Sequence, residues 1–119
     1  GSGKPMREFL HVDDLANACI FSLESWSPSN NNAPCDENGD KLNFLNVGTG
    51  KDISIKDLAF KIAKACNFKG RIIWDESKPD GTPRKLLNIS RIKNLGWSAE
   101  IELEDGIKST LDIFKKDMF

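Results

Sequence analysis

Polar and apolar positions alternate in short blocks along the first half of the chain, and each block predicts one element. Arg7-Glu8-Phe9-Leu10-His11-Val12 is apolar at its centre and reads as a short strand. Leu15, Ala18, Cys19, Ser22, Leu23 and Trp26 then recur at helical spacing, which predicts a helix with one buried face. Asp13-Asp14 stands at its start as N-cap and first-turn negative charge. Pro28 and an Asn-rich run from Ser29 to Asp40 end this helix in a long polar loop.

Leu42-Asn43-Phe44-Leu45-Asn46-Val47 predicts a second strand, stopped by Gly48-Thr49-Gly50. Ser54-Ile55-Lys56-Asp57 resembles a capping box and opens a helix with Ile55, Leu58, Ala59, Ile62, Ala63 and Cys66 on one stripe. Arg71-Ile72-Ile73-Trp74 predicts a third strand, and Ser90 a capped helix of one to two turns ending at Gly96. From about Leu103 the last helix turns Leu103, Ile107, Leu111, Phe114 and Met118 inward. The layout is mixed α/β, with short strands and three main amphipathic helices. Three strands are too few for an independent doubly wound sheet, so 1–119 reads as one small domain that packs on something bigger.

Between the third strand and the short helix lies Lys78-Pro79-Asp80-Gly81-Thr82-Pro83-Arg84-Lys85. Each proline fixes its own φ and biases the residue before it toward extended backbone, and Asp80-Gly81 is a turn dipeptide. This predicts a constrained loop, neither helix nor strand, that holds three cations ready for an anion with several oxygens. Arg7, with its fork of donors, could grip two oxygens of the same anion, and Arg71 could join them. Spacing alone favours an exposed strand-end arginine for Arg7, and for the loop it leaves a merely solvated positive surface equally open.

Charge narrows the field. Seventeen basic and eighteen acidic residues leave a net charge of −1, which argues against nucleic-acid binding as a bulk property. The balance is uneven: Lys69 to Lys93 holds seven Lys or Arg against three acids. No apolar run is long enough for a membrane span, and the start lacks the apolar stretch of a signal peptide. The chain does not open on Met, which fits a processed or tagged chain or a piece of something longer. Cys19, Cys35 and Cys66 have no C-x-x-C spacing, so neither a disulfide scaffold nor a zinc site is expected, and a reducing cytoplasm is.

Other chemistry-bearing residues read as structural. His11 lies between Leu10 and Val12 and suits a packed, hydrogen-bonded ring better than acid–base work. Gly48-Thr49-Gly50 lacks the third glycine of a dinucleotide loop, because Ile53 stands there, and reads as a turn. Cys66 at a helix C-terminus is poorly placed to ionise.

Two segments carry a family resemblance. Gly1-Ser2-Gly3-Lys4-Pro5-Met6-Arg7-Glu8-Phe9-Leu10-His11-Val12-Asp13-Asp14-Leu15-Ala16 is similar to a signature of extended short-chain dehydrogenases that act on nucleotide sugars. Ser77 through Leu87, with Asn46-Val47-Gly48-Thr49-Gly50 and Leu95-Gly96-Trp97, resembles the GDP-L-fucose synthase family. The likeness runs from Gly1 to about Phe114, and its second motif is far more specific than its first.

The resemblance implies conversion of GDP-4-keto-6-deoxy-D-mannose to GDP-L-fucose by epimerisation at C3 and C5 and NADPH reduction at C4. It also implies two domains: an N-terminal Rossmann domain for NADP(H), and a smaller C-terminal substrate-binding domain to which this chain corresponds. The glycine-rich loop, the Ser and Tyr-x-x-x-Lys of the reductase site, and the epimerisation Cys and His lie outside the matching part. No catalytic residue is therefore expected here, the chain alone is expected to be inactive, and His11 is distinct from the family's catalytic His. By motif position Arg7 matches a phosphate- or nucleotide-contacting arginine, Lys85 a substrate-binding lysine and Arg71 another cationic contact. Lys78 corresponds more loosely to a phosphate-binding arginine, and Arg84 lies beside Lys85 in the same loop. Partners on this reading are the GDP-sugar, the Rossmann domain and a second copy in a full-length homodimer. A UDP- or dTDP-sugar enzyme and a non-enzymatic module with a basic loop remain open alternatives.

Overall fold

In the computed structural model, which describes residues 1–118, local sequence signals place the helices and tertiary pairing places the strands. The Met118 side chain, predicted to face inward, and Phe119 lie outside the described residues. Strand β1 (Met6–Glu8) leads into helix α1 (Val12–Ser25), followed by the long loop, strand β2 (Asp52–Ser54) and helix α2 (Ile55–Ala65). Strand β3 (Arg84–Lys85), helix α3 (Ser90–Leu95) and helix α4 (Leu103–Met118) complete the order. The fold is mixed α/β, as the blocks predict.

Helix α2 starts as expected: the Ser54 hydroxyl accepts the Asp57 N–H at 3.0 Å and donates to the Asp57 carboxylate. Helix α3 ends at Gly96 in the left-handed region, φ 109°. Two cap assignments are corrected. His11 is the N-cap of α1, its Nδ1 accepting from Asp13 N at 3.2 Å. Asp14 instead turns inward, and its carboxylate accepts the N–H of Ile101 at 2.9 Å and of Glu100 at 3.2 Å. It is only 2% exposed and ties α1 to the approach of α4. Ser90 is inside α3, whose N-cap is Ile89 with no side-chain cap.

The sheet runs β2-β1-β3, with β2 antiparallel and β3 parallel to β1. Two predicted strands do not form. Residues 42–47 and 71–74 are apolar enough, but β1 already carries a neighbour on each side, and they find no ladder of their own. Leu45 and Val47 serve as packing residues, half-buried on the core. The loop expected to avoid regular structure supplies β3. Pro83 has no N–H to give, but its carbonyl accepts the Met6 N–H at 2.8 Å, and pairing proceeds from the next residue.

Ala18, Ile92 and Trp97 form the buried centre, with Leu10, Phe21, Leu45, Val47, Ile89 and Ala99 packed around it. Helix α1 thus buries a stripe through Asp14 and Ala18, rotated from the predicted one. Leu15, Cys19 and Leu23 of that predicted stripe face solvent, Leu23 at 86% exposure. Helix α2 lies along α4 with Leu58, Ala59 and Ala63 half-buried, but Ile62 and Cys66 are exposed. Leu103, Ile107 and Leu111 of α4 are half-buried and Phe114 is exposed.

The chain is a flat slab, 55 × 36 × 18 Å, with a radius of gyration of 18.0 Å. A compact chain of this length would have about 13.5 Å. Its accessible surface is 8784 Å², against roughly 6,500 Å² for a self-contained globule of this mass. The surplus is apolar in large part, with Val12, Leu23 and Ile73 each more than two-thirds exposed. No helix among the described residues is long and apolar enough to cross a membrane.

Candidate anion-binding site on the central strand

In the parallel pair β1–β3, Met6 is opposite Arg84 and Arg7 is opposite Lys85. Paired residues leave a sheet on the same face, and successive residues on opposite faces. Arg7 and Lys85 therefore stand side by side on one face, while Arg84 shares the other with Met6 and Glu8. The register puts an arginine and a lysine from segments 78 residues apart on one face of the sheet, a placement that suits an anion with several oxygens.

Arg7 lines a cleft of about 360 Å³ walled by Gly3, Pro5, Ile55, Trp74, Asp80 and Gly81, among others. Its Nη1 donates to the Met6 carbonyl at 2.6 Å, leaving the rest of its donor fork unengaged by the described residues. Gly3 has φ +77°, and a Cβ there would fall 2.8 Å from the Trp74 ring. The ring thus lies against bare backbone, a close approach that only glycine permits. The sequence reads Trp74 as a strand residue and Asp80 as half of a turn dipeptide, neither as part of a site, although a tryptophan in an apolar run beside a cationic loop is a usable signal for a stacking wall.

Three carboxylates fix the cationic segment to the rest of the fold. Asp80 accepts from Ser2, 2.7 Å from its N–H and 2.5 Å from its hydroxyl. Asp52 takes Arg84 through two hydrogen bonds, Nε at 2.5 Å and Nη2 at 3.2 Å. Glu8 accepts the Leu87 N–H at 3.1 Å and the Gly50 N–H at 2.6 Å. The Ser2 hydroxyl, then its N–H, holds the Asp80 carboxyl below the ordinary value, and the Arg84 guanidinium does the same for Asp52. Arg84, counted among the candidate ligand contacts, thus spends its fork on Asp52, and the structure does not bring it together with Arg7 and Lys85.

Arg71 and Lys78 are exposed on the segments flanking Trp74 and Pro79, and neither they nor Lys85 line the cleft itself. None of these three side chains has a hydrogen-bond or ion-pair partner among the described residues.

The Gly48-Thr49-Gly50 turn holds an anion of its own chain. A Cβ on Gly48 would meet Glu8 Oε1 at 2.5 Å, and Gly50, at φ +72°, points its amide into the same carboxylate. With its donors so used, this turn does not fit a dinucleotide phosphate. His11 packs on Gly106 of α4, its Nε2 3.4 Å from the Ser109 hydroxyl, as a structural ring does.

Two larger clefts are of other kinds. One of about 520 Å³ is lined by charges that neutralise one another, Lys51 with Glu102 at 2.7 Å and Lys61 with Glu104. The other, about 580 Å³, is an apolar groove between Phe9–Val12, α2 and α4.

The sheet-plus-helices slab matches about a third of the length of extended short-chain dehydrogenases. No protein-family model matches the chain. Against curated proteins it is 51% identical over 118 residues to GDP-L-fucose synthase of Escherichia coli strain K12, covering 96% of this chain and 34% of that protein. It is similar to a solved GDP-6-OMe-4-keto-L-xylo-heptose reductase from C. jejuni, at TM-score 0.88 and 36% identity, over 98% of this chain and 33% of that one. A GDP-mannoheptose C4 reductase from Campylobacter jejuni, solved with NADP bound, matches at TM-score 0.77 and 36% identity over 97% and 33%. The chain is similar to the GDP-L-fucose synthases, and it spans about a third of the length of the curated relatives it matches, their C-terminal third.

Proposed function

We propose that this chain is the substrate-binding domain, residues 1–119, of an NADPH-dependent enzyme that converts GDP-4-keto-6-deoxy-D-mannose to GDP-L-fucose. The observation that carries this reading is the Arg7–Lys85 pairing across β1 and β3. It joins the two segments of family resemblance at one place and puts two cations on one face. Support comes from the 51% identity to a GDP-L-fucose synthase and from relatives named as GDP-sugar reductases.

On this reading the residues described here do no bond chemistry. Arg7 and Lys85 bind the diphosphate, Arg71 and Lys78 add cationic contacts at the rim, and Trp74 offers an apolar wall. Their binding energy, spent far from the reacting carbons, holds the sugar ring where the chemistry occurs. The chain contains no tyrosine, so the Tyr-x-x-x-Lys of the reductase site belongs to the other part of the protein. NADP(H) belongs there as well, since the Gly48-Thr49-Gly50 turn, which follows an apolar run as a dinucleotide loop would, is committed to Glu8. The Rossmann part would cover the exposed apolar side of the slab, and a full-length homodimer in the cytoplasm completes the proposal.

The test is turnover by the full-length protein with NADPH and GDP-4-keto-6-deoxy-D-mannose, read as GDP-L-fucose formed, with GDP, UDP and dTDP as competitors. GDP is expected to inhibit best. Preference for UDP or dTDP would assign the chain to another nucleotide-sugar enzyme, and absence of binding to all three would favour a non-enzymatic module.

A further inference from the structure

Granted the GDP-binding reading above, on which this rests, we infer that Asp52 is a positioning residue for the diphosphate site, acting through Arg84 on Lys85. Asp52 lies in β2, outside the Gly1–Ala16 and Ser77–Leu87 segments that carry the resemblance. Its side chain is 10% exposed, against 62% for Arg84. A bidentate pair anchored by so shielded a carboxylate is stronger than the usual surface ion pair.

The pair spans the sheet. Asp52 is opposite Glu8 and Arg84 is opposite Met6, so the guanidinium reaches over the central strand to the far one. Strand β3 is two residues long and is paired along one edge only, with the Leu87 N–H on Glu8 holding its exit. So short a ladder specifies its register weakly, and a slip by one residue would send Lys85 to the face now occupied by Arg84. The Asp52–Arg84 bridge opposes that slip, because it forms only when Arg84 is on the Glu8 face. With Arg84 held there, Lys85 has to emerge beside Arg7. Arg84 therefore serves the ligand from behind the sheet, consistent with its donors being turned away from the cleft.

The experiment measures GDP and NADPH affinity by titration calorimetry on the full-length protein, comparing wild type with Asp52→Ala, Arg84→Ala, Lys85→Ala and their pairwise combinations. Asp52→Ala is expected to weaken GDP binding roughly fivefold, with NADPH affinity unchanged, the scale of losing one shielded ion pair. Arg84→Ala should match it, and the double variant should lose no more than either. In the Lys85→Ala background, Asp52→Ala should have little further effect, because its only route to the ligand is gone. A purely structural role would instead lower thermal stability and leave the GDP affinity of the folded protein intact. If Asp52→Ala does not fold, Asp52→Asn, which keeps the shape and one acceptor, carries the same measurement. GDP affinity unchanged in the Asp52 variant while Lys85→Ala loses it overturns the inference, as do fully additive losses. Unchanged affinity in Arg7→Ala and Lys85→Ala as well overturns the GDP reading beneath it.

Discussion

Glu8 and Gly50 are joined by a 2.6 Å hydrogen bond in which a strand carboxylate accepts the amide of the Gly48-Thr49-Gly50 turn. The same carboxylate accepts from Leu87 just beyond β3, so one side chain of the central strand binds both flanking segments. A glycine-flanked turn is thus filled from within, and Arg7 and Lys85 stand on the opposite face of the strand.

Replacing Glu8 by Ala strands the Gly50 and Leu87 N–H groups. Both donors are exposed and water replaces the carboxylate, so urea unfolding of the full-length protein should show a loss of about 0.5–1.5 kcal/mol. GDP affinity should fall with it, because the β3 exit is no longer fixed.

Asp14→Ala should be more destabilising, by about 1–3 kcal/mol, since it removes a buried carboxylate that accepts the part-buried N–H groups of Glu100 and Ile101. Nothing connects Asp14 to the cleft, so GDP affinity of the folded variant should be that of wild type. Calorimetry on the variant checks this separation.

Gly3→Ala should disturb the cleft itself. The left-handed backbone costs an alanine about 1–2 kcal/mol, and the added Cβ would sit against the Trp74 ring. Trp74 must move, and its fluorescence should shift, with weakened nucleotide binding measured on the same sample.

Acid should loosen the sheet through Asp52. Hydrogen bonding from Arg84, opposed by desolvation and aided by the guanidinium charge, holds this carboxyl below its ordinary 3.8. A depressed carboxyl contributes stability that is complete above its unfolded value and is lost as pH falls through the folded one. Thermal midpoints should therefore drop below about pH 4, and Asp52→Asn should flatten that part of the profile while lowering the midpoint at neutral pH.

The surplus apolar surface predicts association of the chain when it is produced alone. Leu23, 86% exposed on α1, is a single point of test. Leu23→Glu should reduce self-association in sedimentation without loss of secondary structure. In the full-length protein the same change should destabilise, because the proposed Rossmann part would cover that face.

Local signals were legible and non-local ones were not. Ser54 with Asp57, and Gly96, mark helix ends because caps are made within a few residues. The ladders of β2 and β3 are two or three residues long and exist only because β1 lies between them, so no pattern within either segment announces them. Residues 42–47 and 71–74 have strand composition but pair with neither edge of the sheet. The α1 stripe through Leu15, Cys19 and Leu23 is a real apolar face, but here it faces outward, which suits a chain covering a third of its relatives. Arg7 and Lys85 were recognisable one by one. Their adjacency, and the diversion of Arg84 to Asp52, depend on a parallel register between segments 78 residues apart.

The central claim is that Arg7 and Lys85 together hold the diphosphate of a GDP-sugar, and calorimetric titration of full-length Arg7→Ala and Lys85→Ala with GDP tests it most directly. Each variant should bind GDP at least roughly tenfold more weakly, the scale of a lost charge-assisted contact, with NADPH affinity unchanged. Wild-type GDP affinity in both variants would contradict it.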